Sequence, residues 1–137
     1  MSRKVAIVGS RDYPRLDLVG KFVLSLPQDV VVVSGGARGV DREAERIARS
    51  RGMPTPWIFP VDKVGLPPFG TPEAKREFGR RARERNAKIV FAADDVVAFY
   101  DGESDGTLNT ITLARLAGKP VRVFGPDGRE QFQEGNR

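Results

Sequence analysis

The chain has 137 residues, 39% hydrophobic and 30% charged, with 23 Lys and Arg against 18 Asp and Glu and a formal net charge of +5. It has no cysteine and no histidine, which excludes disulfides, thiolate nucleophiles, thiolate or imidazole metal sites and histidine-based triads, and leaves Asp, Glu, Lys, Tyr or water for acid–base chemistry. The length fits one domain with its own core, and the positive balance favours anionic partners: nucleotides, phosphates or nucleic acid.

Val5 to Val8 is a continuous apolar run ended by Gly9, the pattern of a strand buried on both faces. The run is too short for a signal peptide or a membrane helix, and the lack of cysteine fits a cytoplasmic protein. Leu16, Val19, Phe22, Val23 and Leu26 recur at helical spacing until Pro27. Val30 to Val33 predicts a second buried strand. It runs into Ser34-Gly35-Gly36-Ala37-Arg38-Gly39-Val40-Asp41 and then into an amphipathic helix ending near Gly52. Trp57 to Phe59, set among prolines, predicts a third strand at the sheet edge. Residues 61–72 are irregular and form a lid or rim. A long helix follows, from about Pro72 to Ala93. Phe78 belongs to its apolar stripe, and Arg80, Arg81, Arg83 and Lys88 form a solvated basic outer face. Asp95 to Tyr100 predicts a fourth strand, about Leu108 to Ala117 a helix capped by Gly118, and Val121 to Phe124 a fifth strand.

This alternation predicts an α/β fold: a Rossmann-like three-layer sandwich with a mostly parallel sheet of about five strands. A single domain is expected over residues 1–125, followed by a polar tail over 126–137.

In such a sheet, ligands bind beyond the carboxyl ends of the strands. Three polar, glycine-bearing loops fall there: Gly9-Ser10-Arg11, the Ser34–Asp41 stretch, and the loop with Ser104, Gly106 and Thr107. The second has the strand–glycine turn–helix layout in which backbone N–H groups cradle an anion. Ser34 offers a hydroxyl, Arg38 a guanidinium for phosphate and Asp41 an acceptor for a ribose hydroxyl. The competing interpretation is a tight strand-to-helix turn with Asp41 complementing the helix dipole. Arg11 stands where an anion would lie, or is an exposed loop charge. Arg85 is ambiguous in the same way, and Asn86 is either tied to the backbone or aimed at the ligand. Ser104 caps a helix or presents its hydroxyl to a phosphate. Neither a G-x-G-x-x-G nor a Walker-type G-K-[ST] motif occurs.

Taken in order, Gly9-Ser10-Arg11, Ser34 to Asp41, Arg85-Asn86, and Ser104-Asp105-Gly106-Thr107 followed by Gly118-Lys119-Pro120-Val121 resemble the SLOG superfamily. The pattern is most similar to its small, single-domain YpsA-like branch. The superfamily also contains the DNA-processing protein DprA/Smf and the LOG phosphoribohydrolases. The resemblance implies a Rossmann-like fold and a nucleotide-type ligand of the NAD or ADP-ribose kind. It carries over to Gly9, Ser10, Arg11, Ser34, Gly35, Gly36, Arg38, Gly39, Asp41, Arg85, Asn86, Ser104, Gly106 and Thr107. The LOG enzymes carry a P-G-G-x-G-T-x-x-E pattern, and Thr110 stands here in place of its glutamate. Threonine cannot be the carboxylate partner of an oxocarbenium-like transition state.

Three functions follow, in this order: binding or sensing of a nucleotide-type small molecule; hydrolysis of an N-glycosidic or phosphate bond in such a ligand; and DprA-like binding of single-stranded nucleic acid. Nucleic acid ranks third because only Phe78 lies near the basic run and the stripe assigns it to the core. The cofactor is unknown beyond a nucleotide ligand, no metal is expected from Cys or His, no membrane contact is expected, and a homodimer is the default assembly.

Overall fold

The computed structural model describes residues 2–131. The elements run β1 (Lys4–Gly9), α1 (Leu16–Ser25), β2 (Val31–Ser34), α2 (Val40–Ser50), β3 (Trp57–Ile58), α3 (Pro72–Ala92), β4 (Asp95–Phe99), α4 (Asp105–Leu116), β5 (Val121–Phe124) and β6 (Glu130–Gln131). One sheet contains all six strands in the order β3-β2-β1-β4-β5-β6. β1 to β5 pair in parallel, with Gly9 opposite Phe99 and Ala6 opposite both Val33 and Val96.

Alternation along the strands divides the core into two layers. Val5, Ile7, Val32 and Val97 face Val19 and Val23 of α1 and Ala44 and Ala48 of α2. Ala6, Val8, Val33 and Ala98 face Ile89 and Val90 of α3 and Ile111 and Ala114 of α4. Burial on both faces is why the strands read as continuous aliphatic runs. The chain steps outward from β1 to β3 and then crosses back to β4. The order therefore reverses at β1/β4, and a crevice opens at the carboxyl ends of these strands.

Helix starts follow their caps. The Thr71 hydroxyl accepts from the Ala74 N–H at 3.1 Å, with Pro72 in the first turn. The Ser104 hydroxyl accepts from the Thr107 N–H at 3.4 Å, so α4 begins three residues earlier than its apolar pattern predicts.

The mostly parallel sheet of about five strands carries a short sixth strand at its edge, within the stretch expected as a polar tail from residue 126. β5 turns at Gly125–Gly128 and returns as β6, antiparallel to it. Arg122 pairs with Glu130 at 2.8 Å, and the Tyr13 hydroxyl donates to the Gly125 carbonyl at 2.6 Å. A two-residue edge strand of polar residues leaves no apolar run to read. Residues 132–137 of the expected tail lie outside the described residues. Among the described residues, no helix is long and apolar enough to cross a membrane.

Candidate functional site

The three loops meet, and each junction has a physical cause. The Ser10 N–H donates to the Phe99 carbonyl at 3.1 Å, and its hydroxyl accepts from the Asp101 N–H at 3.1 Å, which ties the first loop to the third. Gly39 has a φ of 84° and backs onto the Arg11 carbonyl so closely that a β-carbon would overlap it. This position ties the first loop to the second and admits only glycine without distortion.

Inside the glycine loop the N–H groups are already engaged. The buried Asp41 carboxylate accepts from Gly35 at 3.0 Å and from Ala37 at 3.3 Å. Burial pushes its pKa up to about 6, against the pull of those two amides and of Arg85. The buried Ser34 hydroxyl donates to Glu45 and accepts from the Gly36 N–H at 3.3 Å. Ser34 and Asp41 thus act on the loop itself, since a ligand could take neither group without replacing these bonds.

Arg85 crosses from α3 to the same loop. A guanidinium N–H donates to the Gly35 carbonyl at 2.9 Å, and its Nε donates to the Asn86 Oδ1 at 2.9 Å. A β-carbon at Gly35 would run into that guanidinium, so a side chain there would displace Arg85 from the loop. Burial lowers the Arg85 pKa, and the Asp41 carboxylate opposes this. Asn86 in turn donates to the Asn109 Oδ1 at 3.0 Å and to the Gly106 carbonyl at 3.4 Å. Asn86 therefore bonds both a backbone carbonyl and a side chain while it lines the cleft. Thr110 is buried and its hydroxyl donates to the Gly106 carbonyl at 3.1 Å.

Above these loops lies a cleft of about 1210 Å³, beyond the range of ~300–1,000 Å³ usual for small-molecule sites. Gly9, Arg11, Gly35, Gly36, Arg38, Asp41, Arg85, Asn86, Ser104, Gly106 and Thr107 line it, whereas Ser10, Ser34 and Gly39 lie behind its wall. The cleft also gathers Lys63, Lys75, Phe78, Arg83 and Asn109, none of which the loop motifs indicated. Two expectations are corrected here. Arg83 does not belong to the outer face of α3, and half-buried Phe78 lines the cleft instead of the core.

The cleft's cations are distinctive. Arg11, Arg38, Lys63, Lys75 and Arg83 make no ion pair among the described residues, whereas Arg76, which also lines the cleft, pairs with Glu73 at 3.7 Å. On the outer face, Arg80 pairs with Glu77 at 2.7 Å and with Glu84, and Arg81 pairs with Glu77 at 3.0 Å. Asp101, Glu103 and Asp105 line another part of the cleft. Burial raises the Asp101 pKa, but hydrogen bonds from the Glu103 and Ser104 amides, both at 2.9 Å, turn the net shift downward. Among the described residues, no group of acidic side chains is arranged to hold a metal ion.

The chain is similar to several known proteins. A family described as DNA recombination-mediator protein A matches residues 1–63, the half that carries the first two loops. The Gene 61 protein of Mycobacterium phage D29 is 35% identical over 133 residues, covering 90% of this chain and 97% of that protein. The structure of DNA processing protein A from Streptococcus pneumoniae aligns with a TM-score of 0.66 and 26% identity, over 90% of this chain and 50% of that one. DNA processing protein A from Helicobacter pylori, whose structure is described for its single-stranded DNA binding mode, aligns with a TM-score of 0.61 and 21% identity over 97% of this chain and 67% of that one. The chain therefore spans about half of the Streptococcus protein and two thirds of the Helicobacter protein.

Proposed function

The chain belongs to the DprA-related SLOG superfamily together with the phage D29 Gene 61 protein, and on that premise we propose that its cleft binds single-stranded nucleic acid. The observation that carries this reading is the concentration of unpaired cations, Arg11, Arg38, Lys63, Lys75 and Arg83, around an aromatic ring, Phe78, in one long cleft. A charged groove that tracks phosphates, with aromatic faces for bases, is the minimal apparatus for sequence-tolerant binding of single strands. Phosphate contacts to unpaired Lys and Arg release counterions, so affinity should fall steeply with salt.

This reverses the order expected from sequence, in which nucleic acid stood behind a nucleotide-type small molecule. Two facts support the reversal. Phe78 stands in the cleft, where a base can stack on it. The related solved structures are DNA-processing proteins, one of them described for single-stranded DNA binding.

Fluorescence anisotropy with labelled single-stranded oligonucleotides tests the proposal. We expect binding that weakens linearly in log–log salt titration, prefers single strands to duplex, and is not displaced by NAD or ADP-ribose at matched concentration. Displacement by either small molecule, with no saturable binding of oligonucleotide, would restore the nucleotide reading.

A further inference from the structure

We propose that Phe69 is a second stacking platform, outside the cleft, that extends the path of a bound single strand beyond Phe78. The inference rests on the proposed function. Phe69 is fully exposed, yet the turn that carries it is braced. The Thr71 N–H and hydroxyl both bond the Pro68 carbonyl, at 3.2 and 2.7 Å. The same hydroxyl caps α3. Upstream, the Arg81 guanidinium donates to the carbonyls of Asp62 at 3.0 Å and Val64 at 2.6 Å.

A ring held out by a braced turn loses little freedom when a base stacks on it. Its segment joins two stretches of chain that line the cleft. Phe69 stands just ahead of the first turns of α3, where Lys75 and Phe78 line the cleft, and Lys63 lines it from the same irregular segment. Six residues of helix separate Pro72 from Phe78, a rise of about 9 Å. On this proposal the strand passes from Phe78 to Phe69, and the unpaired ammonium groups of Lys63 and Lys75, which flank Phe69 in sequence and line the cleft, take its phosphates.

The test compares Phe69→Ala and Phe78→Ala, by fluorescence anisotropy, on labelled oligothymidine strands of about 4 and about 12 nucleotides, within the span of single-strand site sizes. Phe69→Ala should weaken the long strand about tenfold and leave the short strand within about twofold. Phe78→Ala should weaken both. Because the Phe69 ring is solvent-exposed, its removal should leave the thermal midpoint unchanged. Phe69→Trp should keep the long-strand affinity and add emission that the long strand quenches. Normal long-strand binding by Phe69→Ala, with Phe78→Ala impaired, would overturn the extension while leaving the cleft in place. Equal loss on both lengths in Phe69→Ala would put Phe69 inside the primary site and also overturn it. If wild-type protein bound neither strand, the functional reading would fall first and this one with it.

Discussion

Helix α3 carries two sets of cations that look alike in sequence and differ in what faces them. On the outer side, Arg80 and Arg81 are held by Glu77, and Arg80 also by Glu84, at three- and four-residue spacing. On the cleft side, Lys75 and Arg83 have no carboxylate partner among the described residues, and neither do Arg11 and Arg38, while Arg76 has only a 3.7 Å pair with Glu73. A formal count treats these cations as equal contributions to +5. The field a strand meets is set by the uncompensated ones, solvent-exposed and gathered around one concave surface. The nucleic-acid reading therefore gained weight on a different face from the one its arginine run suggested.

Two carboxylates show the same contrast, and the largest effect is expected there. The Arg80 and Arg81 guanidinium groups pull exposed Glu77 down to about 2, whereas burial pushes Asp41 up to about 6. A carboxyl whose folded pKa is raised contributes stability that is fully present below its unfolded value and is lost as pH rises through the folded one. Ionised Asp41 therefore costs stability at neutral pH. Asp41→Asn keeps an oxygen acceptor for the Gly35 and Ala37 amides and removes the buried charge. It should stabilise the protein by up to ~3 kcal/mol near neutral pH, taking about 1.4 kcal/mol per pKa unit. The gain should vanish as pH falls towards about 4. Urea denaturation of both proteins across this range tests it, and parallel stability curves would contradict the assignment.

Next come the two loop arginines. Arg38→Ala and Arg11→Ala should each cost about 1.5–3 kcal/mol in single-strand affinity, the range for hydrogen bonds to charged groups. Their effect on folding should stay near half a kcal/mol, as at surface positions away from the core. Anisotropy and urea midpoints on the same preparations separate the two effects. A variant that loses stability instead of affinity would mean that its side chain braces the loops and does not touch the strand.

Much of this architecture was legible in the chain. Val5–Val8, Val30–Val33 and the strand-to-helix glycine turn announce a parallel sheet and its switch point. Ser104 and Gly106 locate the third loop. The rest was hidden for identifiable reasons. The stripe through Phe78, Ala82, Asn86 and Ile89 is continuous in helical spacing, but α3 overhangs the sheet end. All four of these residues line the cleft, and of them only Ile89 also packs into the core. Periodicity reports which residues share a face and is silent about what that face meets. Asn109 was missed because a polar residue in the first turn of α4 is unremarkable until Asn86 is seen 3.0 Å away. Asp41 was legible as a loop residue, but its bonds to the loop's own amides depend on three-dimensional closure.

The cleft-side lysine and arginine of α3 should have smaller effects than the loop arginines. Lys75→Ala and Arg83→Ala each remove one phosphate contact. Each should therefore lower the slope of log affinity against log salt by about 0.7, the value for single strands, and weaken binding several-fold at low salt. A variant whose salt slope matches wild type would remove that residue from the strand's path.

The smallest effect is predicted for Arg80, and it tests the comparison most directly. Arg80→Ala should leave single-strand affinity and salt slope unchanged, because the charge it removes is already balanced by Glu77 and Glu84 and exposed pairs of this kind project little field at physiological salt. Glu77 keeps Arg81 as a partner in the variant, so the outer face stays near neutral. The converse substitution is the stronger probe. Replacing Glu77 and Glu84 together by Gln frees Arg80 and removes the counter-charge of Arg81, which stays bonded to the Asp62 and Val64 carbonyls, without adding a cation. It should create weak, salt-sensitive binding of duplex and single strands alike, with no change in the preference conferred by the cleft. If Arg80→Ala instead weakened binding as much as Arg38→Ala, the strand would have to run over the outer face of α3, and pairing would not be what separates the two sets of cations.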